Sequence, residues 1–276
     1  MCYNSLNIFC EGNFFMNINL VKFNTDVGKT KPENMRNPLN ACPFCDVENL
    51  TDIIDTDGDI IFLKNKYLVI ESADQFVLIE GNECKSDMPH YSREKMRRVI
   101  KMGVKHWKKL LDSGKYEEVL FFKNFGPMSG GTIRHPHMQL VGFPKLKSEL
   151  LFDVEELRGV VIAEKNGVEL NISDCPRVGF GELNIIFNRG ENLETLADFL
   201  QIGVHYLTNF FRKNLSSYNI FFYHRGEKIF AKIMPRFATS PYFVGYNVHF
   251  LPRNVPQIAA EVFKIYFSDD KKITFN

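Results

Sequence analysis

Short apolar or alternating runs at Ile60–Leu63, Tyr67–Ile70 and Phe76–Glu80, each bounded by Asp, Asn or Gly, read as strands. The pattern then changes period. From Ser92, a helix-capping residue type, to Leu111 the apolar positions Met96, Val99, Ile100, Val104, Trp107 and Leu111 form a stripe at helical spacing, and Asp112-Ser113-Gly114 closes it. A strand at Val119–Lys123, a glycine-rich loop at 126–132 and a strand at His137–Phe143 complete the first half. The second half repeats the order. A strand at Leu183–Phe187 is followed by a helix at Leu193–Phe211, with Leu196, Leu200, Val204, Leu207 and Phe211 on one face. Strands at Asn219–Tyr223 and Ile229–Met234 follow, joined by the turn His224-Arg225-Gly226-Glu227. The recurrence, roughly 100 residues apart, predicts a duplicated α+β unit. We expect a long mixed or antiparallel sheet with helices on one side, residues 1–150 forming the first half and 151–276 the second.

Composition narrows the function classes. Of 276 residues 45% are hydrophobic and 24% charged, as in an ordinary folded domain, and the 26 Phe read first as core. A net charge of +1 supplies no general attraction to nucleic acid or to anionic membrane, and neither is an expected partner. No apolar run reaches the roughly 18–20 residues that span a bilayer, and no secretory signal pattern opens the chain, so a cytoplasmic location is expected. Met16 reads as a more conventional start, which makes residues 1–15 an extension with little structural role.

Six cysteines spread unevenly do not make a disulfide framework. Cys42-Pro43-Phe44-Cys45 has the spacing of two zinc thiolates on a tight turn, and a closed structural site needs about two more ligands from Cys84, His90, His135, His137 and Cys175. A redox dithiol is the rival, but such a pair belongs between a strand and a helix, whereas this one follows a loop and precedes Asp46-Val47-Glu48-Asn49. The second cluster is His135-Pro136-His137-Met138-Gln139. Alternation on a strand puts His135, His137 and Gln139 on one face, behind Gly130, Gly131 and Thr132, whose backbone amides suit a phosphate. A neutral imidazole can attack phosphorus and hold a nucleotidyl group, with Thr132 and Gln139 stabilising charge on the phosphoryl oxygens. Lys31 and Arg36 read either as contacts to a substrate phosphate or as solvated surface charge.

The run from Phe122 to Gln139, with Asn124, Gly126, Gly130-Gly131-Thr132 and His135-Pro136-His137-Met138-Gln139, resembles the signature of galactose-1-phosphate uridylyltransferases within the histidine-triad superfamily. The CxxC, Asn65-Lys66-Tyr67 and Phe243-Val244-Gly245-Tyr246 match further segments of that family. The resemblance implies a histidine-triad-like fold and a nucleotide or nucleotide-sugar substrate. By it His137 is the nucleophile, and Gln139 holds the phosphoryl group. Asn124 and Thr132 contact phosphate, Asn65 and Tyr67 the nucleoside, and Tyr246 a sugar phosphate. A structural zinc falls to Cys42, Cys45, His135 and, in preference to His90, Cys84. It also implies a homodimer. The sequence departs from the family towards its end: the place of a second metal site reads Ala231-Lys232-Ile233-Met234, and Pro241 stands where a lysine is expected. Lys232, Arg236 and Ser240 read as a replacement anion site or as a strand end with solvated charges. A nucleotidyltransferase is the leading expectation. The alternatives are a dinucleoside polyphosphate phosphorylase or hydrolase, and a nucleotide-binding zinc protein without turnover.

Overall fold

The computed structural model describes residues 18–190, 192–212, 215–268 and 275; the expectation for residues 1–15 lies outside them. The N-terminal half contains helix α1 (Thr25–Thr30), strands β1 (Ile53–Asp57), β2 (Ile60–Lys64) and β3 (Asp74–Ile79), helix α2 (Arg93–Leu111), and strands β4 (Glu118–Phe125) and β5 (His137–Phe143). The C-terminal half contains β6 (Gly159–Lys165), β7 (Val168–Ser173), β8 (Leu183–Asn188), helix α3 (Leu193–Tyr206), β9 (Tyr218–Arg225) and β10 (Lys228–Pro235), then helices α4 (Pro241–Tyr246) and α5 (Val255–Tyr266).

All ten strands form one sheet in the order β1-β2-β3-β5-β4-β9-β10-β8-β7-β6, and every strand pair in it is antiparallel. Read inward from its own edge, each half has the same layout: three sequential strands, then the fifth, then the fourth, with the long helix between the third and fourth. The duplication expected from the repeating pattern is therefore present in the topology. The halves meet at β4 and β9, where Phe121 to Phe125 pair with Phe222 to Tyr218.

The helices α2, α3 and α5 cover one face, where Phe62, Leu78, Phe121, Met138, Leu140, Ile220 and Ala231 join their apolar stripes in one core. Trp107 on α2 is fully buried there and donates to the Val119 carbonyl (2.7 Å), fixing helix to sheet. Ser92 caps α2 by accepting from the Lys95 amide, as the sequence predicts. The opposite face has a smaller apolar set, Ile61, Leu63, Val77 and Ile79, which Phe44 and Leu50 partly cover. This is the face on which the candidate chemistry lies.

The structure differs from the sequence reading in three respects. Tyr67–Ile70 is not a strand: the Asn65 side chain accepts from the Tyr67 amide, Val69 donates to the Tyr67 carbonyl, and only an isolated bridge joins Ile70 to Phe23. The long second helix ends as a helix at Tyr206 and continues as a wider π turn over Leu207–Phe211. Strands β1, β6 and β7 and helix α5 have no counterpart in the pattern read from the chain.

Candidate functional site

Strand β5 begins at His137, so its alternation sends Met138 and Leu140 into the helix-side core and His137 and Gln139 to the open face. His135 lies just before the strand, and its ring goes to the cysteines. Its Nδ1 is 3.7 Å from Cys42 Sγ and 3.5 Å from Cys45 Sγ, while its Nε2 hydrogen bonds to the Gly81 carbonyl (2.7 Å). The ligand atoms of Cys42, Cys45, Cys84 and His135 all lie within 4.8 Å of one another. A tetrahedral metal with bonds of about 2.3 Å to sulfur and 2.0–2.1 Å to nitrogen needs ligand separations of about 3.6–3.8 Å. The cluster is thus of a size to hold one metal ion. It is also orientated for one: Nε2–H is spent on the Gly81 carbonyl, which leaves the Nδ1 lone pair towards the thiols. Electrostatics point the same way. Burial opposes the Cys42 thiolate, but a hydrogen bond from His135, when a proton rather than a metal sits on Nδ1, and bonds from the Phe44 and Cys45 amides outweigh it and bring its pKa to about 6. Burial, with Cys45 and Cys42 beside it, pushes the Cys84 thiol up to about 12. Three thiolates this close need a cation between them.

His90 is not in the cluster; it ends the short 3-10 turn Met88–His90, and Cys84 takes the fourth position. Cys175 is exposed and outside the cluster as well.

Beside the cluster a cleft of about 390 Å³ opens over β2, β3, β5 and β4. His137, Gln139, Asn124, Gly130, Gly131, Thr132, Asn65 and Tyr67 all line it. The structure therefore brings together eight residues drawn from three separate stretches of chain. Phe44 joins this cleft to the cysteine cluster, since its ring meets the His137 ring edge-on at 5.2 Å and the His135 ring at 6.0 Å.

The His137 ring is held by a backbone hydrogen bond, Nδ1 to the His135 carbonyl at 2.8 Å. Only a protonated Nδ1 can make that bond, so in the neutral ring Nε2 carries the lone pair. Burial keeps the ring neutral, lowering its pKa to about 3 despite the bond to His135, and the positive Lys123 and Lys31 act in the same direction as burial.

The glycine-rich loop has a fixed shape for steric reasons. Gly126 sits at φ +83°, and a Cβ there would meet the Ser216 carbonyl oxygen at 1.9 Å. Ser217 of the C-terminal half accepts from the Met128 amide (3.1 Å), and Ser129 Oγ donates to the Gly126 carbonyl (2.7 Å). Over the loop lies residue stretch 31–36: the amides of Asn34 and Met35 both donate to the Thr132 carbonyl, and Asn34 Oδ1 accepts from the Arg134 amide. That clamp carries Lys31 into the cleft lining, where burial lowers its pKa. Arg36 does not line it.

The remaining candidates stand outside this cleft. Tyr246 ends α4 with 79% of its surface exposed, and it does not line the cleft of its own chain. Lys232, Arg236 and Ser240 are not one anion site. Lys232 is fully buried and saturated by Glu182 (2.9 Å), Asn184 Oδ1 (3.0 Å) and the Glu156 carbonyl (2.7 Å). Ser240 caps α4. Arg236 alone faces a cavity. Leu50, Leu63, Val77 and Phe122 line the main cleft but received no role from the sequence; period-two placement on β2, β3 and β4 was the signal that could have found Leu63, Val77 and Phe122, whereas Leu50, after the 3-10 turn Val47–Asn49, offered none. No helix among the described residues is long and apolar enough to cross a membrane.

A family model described as the N-terminal domain of DUF4931, a domain of unknown function, matches residues 23–146, and the corresponding C-terminal domain model matches 149–267. No curated protein matches the sequence. Among solved structures, a DUF4931 family protein from Bacillus cereus ATCC 10987 is 37% identical, covers 79% of this chain and 100% of its own, and has a TM-score of 0.71. An ADP-glucose phosphorylase from Arabidopsis thaliana, solved with bound ADP-glucose, is 13% identical over 91% of this chain and 100% of its own, at a TM-score of 0.67. A uridylyltransferase is 15% identical over 82% and 91%, at 0.64. At such identities the last two show the fold alone, and that fold is the duplicated histidine-triad-like one.

Proposed function

The chain belongs to the DUF4931 family, and from the geometry of its cleft we propose that it is a nucleotidyltransferase that works through a covalent nucleotidyl-His137. One observation carries this reading: the 2.8 Å bond from Nδ1 to the His135 carbonyl makes Nε2 the basic nitrogen of a neutral ring that lines the cleft. In the first step the Nε2 lone pair attacks the α-phosphorus of a nucleoside diphosphate-linked donor. A nitrogen–phosphorus bond forms, and the phosphorus–oxygen bond to the leaving group breaks with its electron pair on that oxygen. The positive charge left on the ring is shared through Nδ1–H with the His135 carbonyl. An acceptor oxygen then attacks the same phosphorus and returns the electron pair to Nε2. The Gly130, Gly131 and Thr132 backbone, Gln139, Asn124 and Lys31 surround the place where phosphoryl charge grows. In this reading Asn65, Tyr67, Leu63 and Val77, all in the cleft lining, receive the nucleoside.

Cys42, Cys45, Cys84 and His135 would hold a zinc ion, which supplies a structural cross-link when bound. Their own contribution is mechanical. The CxxC turn carries Phe44 against His137, and the His135 carbonyl fixes the tautomer of the nucleophile. The substrates of the fold relatives, ADP-glucose among them, support a nucleotide-sugar donor. In this reading the exposed Tyr246 serves a homodimer, reaching the cleft of a second copy.

The test is incubation with UDP-glucose, ADP-glucose and diadenosine tetraphosphate, followed by intact mass. We expect a gain of one nucleoside monophosphate with at least one donor, and none in His137→Ala. Nucleotide binding without any adduct would replace this reading with that of a nucleotide-binding protein without turnover.

A further inference from the structure

The open face carries a second cleft of about 450 Å³, on the other side of Phe122 and Asn124 from the first and sharing both residues with it. It lies over the seam between the halves, and Ser129, Asn219, Tyr223 and Arg236 are among its lining. Strand register fixes its relation to His137. Lys123 pairs with Met138, so Asn124 stands beside His137 on the next rung; Asn124 pairs with Asn219, and Asn219 with Met234. His137, Asn124 and Asn219 therefore form one transverse row on the open face. Two strand spacings, about 10 Å, separate its ends, a distance on the scale of a sugar phosphate.

The polar groups along this row are arranged with care for direction. Asn219 is buried, and its Nδ2 donates to Asn124 Oδ1 (2.6 Å) and to the Ser129 carbonyl (3.1 Å). With its oxygen so engaged, Asn124 is left with its amide donors to offer to the clefts. Asn219 Oδ1 in turn accepts from Arg236 Nη1 (3.1 Å). Arg177, the cleft's other cation, is neutralised by Glu156 (2.8 Å) and also donates to the Leu151 carbonyl. Arg236 differs: among the described residues no carboxylate pairs with it, and it is half-buried against the cavity. A partly desolvated guanidinium with open donors is a ready contact for a phosphate.

We propose that this seam cleft is the subsite for the leaving group and for the acceptor that replaces it, with Arg236 binding the acceptor's phosphate and Asn219 holding Asn124 between the two clefts. The proposal rests on the nucleotidyl-His137 reading. The acceptor is a phosphate-bearing molecule, either inorganic phosphate or a phosphate monoester. Its phosphate oxygen attacks the nucleotidyl phosphorus, the phosphorus–nitrogen bond breaks, and the electron pair returns to Nε2. The product is a nucleoside diphosphate in the first case and its monoester-linked form in the second.

The test separates charge from scaffolding. Arg236→Gln keeps a donor for Asn219 but removes the charge; Arg236→Lys keeps the charge. Protein labelled at His137 is discharged with inorganic phosphate, with glucose 1-phosphate and with water alone. In Arg236→Gln the ratio of anion-driven to water-driven discharge should fall at least about tenfold, the worth of one charge-assisted contact. The fall should appear mainly as a higher KM for the anion, and Arg236→Lys should recover most of it. The faster anion identifies the source of the phosphate. A ratio unchanged in Arg236→Gln, or equal damage in both variants, overturns the subsite. Calorimetric binding of pyrophosphate to unlabelled protein gives a second arm: it should weaken by a similar factor in Arg236→Gln. If no donor labels the protein but this weakening is seen, the transferase reading fails and the anion site stands. If labelling succeeds and neither arm responds, the subsite alone fails.

Discussion

Strands β5 and β10 hold the same place in the two halves, and they have been put to opposite uses. On its open face β5 presents His137 and Gln139 to a cleft bordered by the glycine-rich loop, the CxxC turn and the segment after it, the Asn65–Tyr67 stretch and the stretch around Lys31. On its open face β10 presents Phe230, Lys232 and Met234, all buried. Phe152 and Leu157, from the segment that links the halves, close over Phe230 and Tyr223, and Lys232 is tied to Glu182, Asn184 and the Glu156 carbonyl. The difference lies in what covers the strand rather than in the strand itself. Around Phe230 and Lys232 the C-terminal half spends its open face on stability, with its seam margin at Met234 and Arg236 left to the second cleft, whereas the N-terminal half keeps His137 and Gln139 accessible for chemistry. The stable half then supports the accessible one, through Ser217 on the Met128 amide and Asn219 on Asn124 and the Ser129 carbonyl.

The sharpest way to break this comparison is to remove the central side chain from each strand. Lys232→Ala leaves Glu182 buried without its charge partner and should cost about 3–5 kcal/mol in urea unfolding. His137→Gln should shift stability by less than about 1 kcal/mol while abolishing the adduct. Equal stability losses would erase the distinction between a supporting strand and a working one.

The next effect concerns the clamp between halves. Gly126→Ala places a methyl against the Ser216 carbonyl at a backbone conformation that disfavours side chains. It should cost about 1–3 kcal/mol and weaken nucleotide binding through displacement of Gly130–Thr132. Isothermal titration and thermal unfolding measure the two losses, and tight nucleotide binding retained in this variant would show that the loop is not positioned from the C-terminal half.

Metal content is confined to the N-terminal half in this picture. Wild-type protein should carry about one zinc per chain by elemental analysis, and Cys42→Ser or Cys84→Ser well under half of that, with a lower melting temperature. Cys175→Ser should retain the full content, since Cys175 lies outside the cluster. Full zinc in Cys84→Ser would return the fourth position to another ligand.

The smallest effect lies at the edge of the N-terminal half. Hydrogen bonds from Lys105 and then His106 hold the Asp55 carboxyl down to about 2. A pKa below the unfolded value of about 3.9 stabilises the fold above that pH, and the contribution is lost as pH falls through about 2. Because the group is solvent-screened, we expect less than about 1 kcal/mol between pH 5 and 2. Asp55→Asn should remove that part of the acid dependence in urea titrations.

Legibility in the sequence followed the range of the interactions. The Ser92 cap, the α2 stripe and the CxxC turn are local, and the motif around His137 packs its chemistry into one loop and one strand, so all were readable. Cys84 was reachable only through the family resemblance, because its distance from Cys45 is closed by the sheet. Strand β1, whose open positions are mostly exposed, carries no alternation to detect. Tyr67–Ile70 has strand-like residues, but Asn65 captures the Tyr67 amide and turns the chain. The fate of Lys232 depended on Glu156, Asn184 and Glu182, far away in sequence. Arg236 was legible only as part of an anion site shared with Lys232 and Ser240, and Asn219 only as a strand residue, since their pairing comes from the register across β4, β9 and β10.

The most direct test of the central claim is to map the nucleotidyl group. Protein labelled with the best donor is digested under alkaline conditions that preserve phosphoramidates, and the modified peptide is sequenced by mass spectrometry. The expected result is a single nucleotidyl group on the peptide containing His137, lost on acid treatment and absent from His137→Ala. A label on any other residue, or one that persists in His137→Ala, would contradict the assignment of His137 as the nucleophile.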